Sequence, residues 1–295
     1  MTTLNTTELI KKVKRIEIQT RSTVNELFAG KYNSTFKGRG MEFDEVREYI
    51  PGDDIRSIDW NVTARSGRPH IKKFTEEREL TVMLLVDISA SNIFGSRRQL
   101  KKDLLTEIAA VLAFSASRNN DKIGIILFSD HVEKIIPPQK GRQHVLRIIR
   151  EIMTFKPKGK GTHLSPALDY LNHICSRKVT TFLLSDFYFD DDYESALKIT
   201  ARRHDLISVQ IGDRCEVALP VAGLVTWKDA ETGSVSLIDT SCQTVRNTLL
   251  LEQSQRSKEL MSLHHRNNID LIQLYTDEPY EKAFRIFFAT RARRR

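Results

Sequence analysis

Thr81-Val-Met-Leu-Leu-Val-Asp87-Ile-Ser89-Ala-Ser91-Asn-Ile-Phe-Gly95 is the stretch whose reading decides the fold. Its apolar run, Val82 to Val86, stops at a carboxylate, and two hydroxyls follow at alternate positions. A short apolar run bounded by turn residues suits a strand buried on both faces of a parallel sheet. Asp87, Ser89 and Ser91 then fall at the strand's carboxyl end, where open α/β sheets bind ligands. All three offer oxygen, the donor that a hard cation such as Mg²⁺ prefers.

Outward from this strand, the chain alternates apolar runs with helical patterns. Leu100, Leu104, Leu105, Ile108 and Leu112 recur at helical spacing within 98–118. Strands are expected over 122–128, 179–184, 206–211 and 269–275, with a short edge strand over 132–136 before Pro137-Pro138. Helices are expected over 142–153, 166–175, 193–203, 245–266 and 280–289, with Ser165 as the cap of the second and Pro166 at its first position. Asp229-Ala-Glu-Thr-Gly233 joins two strand-like runs, which predicts a hairpin insertion near 223–240. The alternation predicts an α/β domain over 81–295, a mostly parallel sheet with helices on both faces.

Residues 1–80 differ in character. A helix or helix pair is expected over 6–30, ended by Gly30. Residues 31–80 are rich in charge and turn residues and poor in apolar ones. Such a segment does not make a large core alone, so it is expected to pack on the domain that follows.

Two later stretches extend the oxygen pattern. Gly159-Lys-Gly-Thr162 offers a hydroxyl just before a helix, and Leu183-Leu-Ser-Asp186 a carboxylate just after a strand. Taken singly, such residues are ordinary turn or cap residues. Together, Asp87, Ser89, Ser91, Thr162 and Asp186 form an ordered set of oxygen donors at strand and helix ends. Its two carboxylates offset the positive ends of neighbouring helices, which repel a cation.

The D-x-S-x-S run, then Thr162, then Asp186, resembles the metal-ion-dependent adhesion site of von Willebrand factor A domains. That resemblance implies direct contact of Ser89, Ser91 and Thr162 with Mg²⁺ or another divalent cation. It implies action of the two aspartates through water and hydrogen bonds, with one coordination position open to a partner's carboxylate. A second signal precedes the strand. Gly38-Arg-Gly-Met-Glu-Phe43, Arg47-Glu-Tyr-Ile-Pro-Gly-Asp53-Asp54, Arg56-Ser-Ile-Asp59-Trp60 and Thr63-Ala-Arg65 closely resemble the signature of the bacterial family called "domain of unknown function 58". The likeness resumes at Asp229 to Gly233 and Ile238-Asp-Thr240. It implies a von Willebrand A-like, Rossmann-like fold and association with MoxR-type AAA+ ATPases.

Arg47, Asp53, Asp54, Arg56, Asp59, Trp60 and Arg65 carry two readings. One is an ion-pair network in which Arg47, Arg56 and Arg65 each grip a carboxylate. The other is a docking surface for the ATPase.

Composition narrows the function. No run of about 18 apolar residues exists, so no membrane-crossing helix is expected. Three scattered cysteines form neither a disulfide framework nor a zinc motif, and a reducing cytoplasm is the expected compartment. The formal charge of +8 admits an anionic partner, but no aromatic-rich stacking motif accompanies the basic residues. A haloacid-dehalogenase-type phosphatase needs a carboxylate two residues after the first aspartate, where Ser89 stands. A serine hydrolase needs G-x-S-x-G, which Ser89 and Ser91 lack. The expectation is a metal-dependent protein-binding module, an adaptor for an AAA+ ATPase, not an enzyme. The alternatives are a metal-dependent hydrolase using the same oxygens and a basic nucleic-acid-associated protein.

Overall fold

The computed structural model describes residues 11, 13–18, 20, 23–24, 42–75, 79–96, 99–159, 161–189, 191–229 and 233–294. The helical stretch expected over 6–30 falls largely outside them, as do Gly30 and residues 38–41, although 13–18 are helical. The chain divides into two compact units, Phe36–Leu80 and the remainder, Met1–Thr35 with Thr81–Arg295. One break falls after residue 80, and the first 35 residues group with the later unit.

Phe36–Leu80 holds an antiparallel pair, β1 (Glu42–Glu48) and β2 (His70–Thr75), that the sequence reading did not anticipate. Between them lie a 3₁₀ turn, Ile55–Ser57, and the helix α1 (Trp60–Ser66). Asp59 caps α1 by accepting from Asn61 N and Val62 N. Gly67 ends it at φ 72°, a left-handed conformation that glycine adopts without a Cβ penalty.

The larger unit is built on six strands: β3 (Thr81–Asp87), β4 (Lys122–Phe128), β5 (Val132–Gln139), β6 (Thr180–Ser185), β7 (Asp205–Gly212) and β10 (Asp270–Tyr275). Their order is β10-β7-β6-β3-β4-β5, parallel except for β5, which runs antiparallel to β4. β5 continues through Pro137 and Pro138, beyond the end expected at Ile136. Its edge position explains this, because an edge strand has one side on which no ladder hydrogen bond is required.

Strand β3 is central, so its apolar run must be covered on both faces. Met83 and Leu85 join a core with Leu164, Leu168 and Leu171 of the segment leading through α4 (Ser165–Ile174). Leu197 of α5 (Glu194–Arg203) and Leu260 and Leu263 of α7 (Gln243–Arg266) complete that face. Val82, Leu84 and Val86 alternate to the other face. There α2 (Lys101–Arg118) contacts β3, β6 and β7 and packs on α3 (Arg142–Thr154). A four-residue helix, α6 (Arg214–Val217), follows β7. The expected hairpin forms as β8 (Leu224–Lys228) and β9 (Val235–Asp239), with part of its turn outside the described residues. Helix α8 (Tyr280–Arg293) packs on β10. Among the described residues no helix is long and apolar enough to cross a membrane.

Candidate metal centre

Parallel strands point their carboxyl ends the same way, so the loops after β3, β6 and β4 meet at one edge of the sheet. Asp87 ends β3, Asp186 follows β6, and the loop bearing Thr162 is tied to the end of β4, where His163 N donates to Ser129 O at 2.9 Å. Sequence positions far apart are thus assembled by three adjacent strands, at the point where the strand order reverses direction. Asp87, Ser89, Thr162 and Asp186 are all buried, and Ser91 is half-buried.

Asp87 is gripped from both sides. Its Oδ1 accepts from Ser89 N at 2.9 Å, and its Oδ2 from Ser185 Oγ at 2.6 Å. Ser89 Oγ and Ser91 Oγ stand 3.0 Å apart. Asn92 Nδ2 donates to Ser89 Oγ, while its Oδ1 is buried without a hydrogen-bond partner. Asp186 Oδ1 accepts from Tyr188 N at 3.2 Å. Phe187 between them holds φ at 62°, an uncommon conformation for a bulky residue and one that tends to gather at functional sites.

The electrostatics are unbalanced. Burial, and then the charge of Asp186, push the Asp87 carboxyl up to about 7, against the hydrogen bonds from Ser185 and Ser89. Asp186 itself meets a cation that the sequence reading missed: Lys101 Nζ lies 2.8 Å from Asp186 Oδ2 and 2.7 Å from Glu216 Oε1. Burial opposes the Lys101 charge, but Asp186 and Glu216 outweigh it and hold its pKa above the ordinary lysine value. Burial nonetheless raises Glu216, with Lys101 offsetting it only in part. One ammonium shared between two carboxylates, with Asp87 as a third, leaves the cluster short of positive charge.

The residues fit a small divalent cation. Two cis ligands of an octahedral Mg²⁺, each at about 2.1 Å, sit about 3 Å apart, which is the spacing of the two serine hydroxyls. The donor set is all oxygen, and it includes two buried carboxylates. Ser89, Ser91 and Thr162 would hold the ion, with Asp87 and Asp186 supplying the balancing charge.

The loop carrying Thr162 is held by a residue that the sequence did not flag. Glu133 Oε1 accepts from Lys158 N at 2.7 Å, Gly159 N at 2.9 Å and Ser129 Oγ at 2.9 Å. A Cβ at Gly159 would overlap Asp130 and Ser129 side-chain atoms, so this close approach requires glycine. Ser165, expected to cap α4, is instead its first helical residue. Asp191 does so from a distance, accepting from Leu164 N at 3.0 Å and Ser165 N at 2.8 Å.

In the Phe36–Leu80 unit, Arg47 forms a two-pronged pair with Asp53, at 2.9 and 2.7 Å. Asp54 Oδ1 accepts from Arg56 N at 3.0 Å and so caps the 3₁₀ turn. The expected pairing of Arg56 and Arg65 with carboxylates is not found among the described residues; both are exposed. Their neighbouring acids are used otherwise, Asp54 and Asp59 as caps and Asp53 by Arg47. Trp60 is 68% exposed.

Residues 45–259 match the family described as "Protein of unknown function DUF58". The chain belongs to this family. A relative in Mycobacterium bovis, "Uncharacterized protein Mb1516", is 32% identical over 230 residues, spanning 77% of this chain and 73% of that protein. The Bacillus subtilis protein YeaD is 27% identical over 107 residues, 36% of this chain and 25% of its own. Among solved structures, BatB from Bacteroides thetaiotaomicron aligns at a TM-score of 0.46 and 14% identity, covering 72% of this chain and 99% of that one. The SpRpn10 VWA domain aligns at 0.40 and 9% identity, covering 70% and 94%. The DUF58 chain described here is an α/β protein, with the six-stranded, mostly parallel sheet order given above and helices packed on it.

Proposed function

We propose that this DUF58 chain is a cytoplasmic protein-binding module, not an enzyme, whose oxygen cluster captures an acidic side chain of a partner through a bound divalent cation. The observation that carries this reading is the pairing of Ser89 Oγ and Ser91 Oγ, 3.0 Å apart, on a loop whose Ser89 N is bound by the buried carboxylate Asp87. When bound, the cation supplies a coordination position that a partner's Asp or Glu completes. The chain's own residues do the rest. Ser185 and Ser89 N orient Asp87, Tyr188 N orients Asp186, and Glu133 fixes the Thr162 loop. The family resemblance supports a MoxR-type AAA+ ATPase as the partner and an adaptor role in assembling or remodelling protein complexes.

The test is a pull-down of the full chain against the MoxR-type ATPase of its own cell, with Mg²⁺ and with chelator. Asp87→Ala and chelation should each abolish capture while the thermal melt stays cooperative. Capture by a well-folded Asp87→Ala protein, insensitive to chelator, would overturn the reading and turn attention to Arg47, Asp53, Arg56, Trp60 and Arg65. Turnover of phosphoesters lost in the same variant would favour a hydrolase. Salt-dependent binding of DNA or RNA would favour the nucleic-acid alternative.

A further inference from the structure

Lys101 is an unexpected residue to find where it stands. It is the first residue of α2 and fully buried. A helix N-terminus carries partial positive charge and disfavours a cation, and an ammonium withdrawn from water costs free energy unless it is paired. Both penalties are met by two carboxylates. Asp186 belongs to the oxygen cluster; Glu216 does not.

Glu216 is fixed independently of Lys101. It closes a capping box on α6, with Oε2 accepting from Asp213 N at 3.1 Å, so Oε1 faces the ammonium. Asp213 is in turn anchored by Ser96 and Thr276. The ammonium therefore bridges one acid of the cluster to one rigidly held acid outside it. The ring of Tyr188, its centroid 5.8 Å from Nζ, covers it.

We infer that Lys101 is a built-in counter-cation of the oxygen cluster: it competes with a divalent ion for Asp186 and is retained by Glu216 when such an ion binds. This rests on the metal-site reading above and adds to it a device that sets the affinity. An ammonium a few ångströms from a dication opposes it. Glu216 weakens that opposition by drawing the ammonium off Asp186. The free domain then holds its ion weakly, and the negative charge of a partner's carboxylate tips the balance towards the loaded state.

Lys101→Met and Glu216→Gln should move metal affinity in opposite directions. Lys101→Met keeps an unbranched side chain one atom shorter and removes the charge, so Mn²⁺ should bind on the order of tenfold more tightly, within the usual range of site–site coupling. Glu216→Gln leaves the ammonium with Asp186 as its charged partner, so Mn²⁺ should bind more weakly by a similar factor. The experiment is a Mn²⁺ titration of the full chain by calorimetry, with thermal melts in parallel. The Tm of Lys101→Met should rise more with Mn²⁺ than that of the wild type.

Equal or weaker Mn²⁺ binding by a folded Lys101→Met protein would overturn the inference and give Lys101 a purely structural role. Where Lys101→Met does not fold, unchanged or tighter binding by Glu216→Gln would overturn it equally. Binding seen in Lys101→Met and absent from the wild type would support it. No binding by wild type or either variant at millimolar Mn²⁺ would overturn the metal reading itself, and the inference with it.

Discussion

Ser185 Oγ donates to Asp87 Oδ2 at 2.6 Å, joining the carboxyl ends of the two strands that carry the acids of the cluster. The same hydroxyl accepts from Phe187 N at 3.0 Å, holding the strained turn after Asp186. Ser185→Ala removes both bonds at a fully buried position. A buried carboxylate left short of a donor costs about 1–3 kcal/mol, and that loss is expected in urea denaturation without added metal. A loss below about 0.5 kcal/mol would show that Asp87 finds another donor.

Glu133 is expected to behave as the anchor of the Thr162 loop. Glu133→Ala leaves Lys158 N, Gly159 N and the Ser129 hydroxyl without their shared acceptor. Amide exchange should accelerate over 158–163 while the strands keep their protection. Unchanged exchange in that loop would mean that its position is set elsewhere.

Acid stability should report on His264. The ring is buried; Nδ1 donates to Leu260 O at 2.8 Å and Nε2 accepts from Ser208 Oγ at 2.9 Å, which is the neutral imidazole. Burial lowers its pKa below the ordinary 6.5, against the pull of the Leu260 carbonyl. The unfolded chain thus takes up the proton first. The contribution of His264 to stability is complete above 6.5 and is lost as pH falls through the folded value. His204 is shifted the same way by burial and by Arg203 and Lys178. Unfolding free energy measured from pH 7 to pH 5 should fall less steeply in His264→Gln than in the wild type. Identical slopes would remove His264 as a source.

The Phe36–Leu80 unit should be sensitive at its caps. Asp59→Ala removes the acceptor for Asn61 N and Val62 N at the start of α1, a change that costs about 1 kcal/mol. Trp60, adjacent and exposed, offers a fluorescence probe of that unit's own unfolding. An unchanged Trp60 transition in Asp59→Ala would contradict the capping role.

The fold was legible where burial leaves a plain trace. Parallel strands covered on both faces read as unbroken apolar runs, and Val82 to Val86 is 1% exposed or less throughout. The contacts among Asp87, Ser89 and Ser91 were legible because D-x-S-x-S is local in sequence. Other features leave no such trace. β1 was missed because the register shifts between Phe43 and Glu45, which breaks its two-residue alternation. Asp191 caps a helix that starts 26 residues earlier, and no local pattern marks such a cap. Lys101 was missed for the plainest reason. It stands beside Lys102 at a helix start, and only the fold makes one of them fully buried between two carboxylates. Glu216 lies on a four-residue helix too short to show a period.

The most direct test of the metal centre is anomalous scattering from crystals of the full chain grown with Mn²⁺. A peak is expected about 2.1 Å from Ser89 Oγ and Ser91 Oγ, with Thr162 Oγ1 as a third ligand. Lys101 should then be drawn from Asp186 towards Glu216. Mn²⁺ found only at surface carboxylates, with Ser89 still hydrogen-bonded to Ser91 and Lys101 still bridging Asp186 and Glu216, would contradict it.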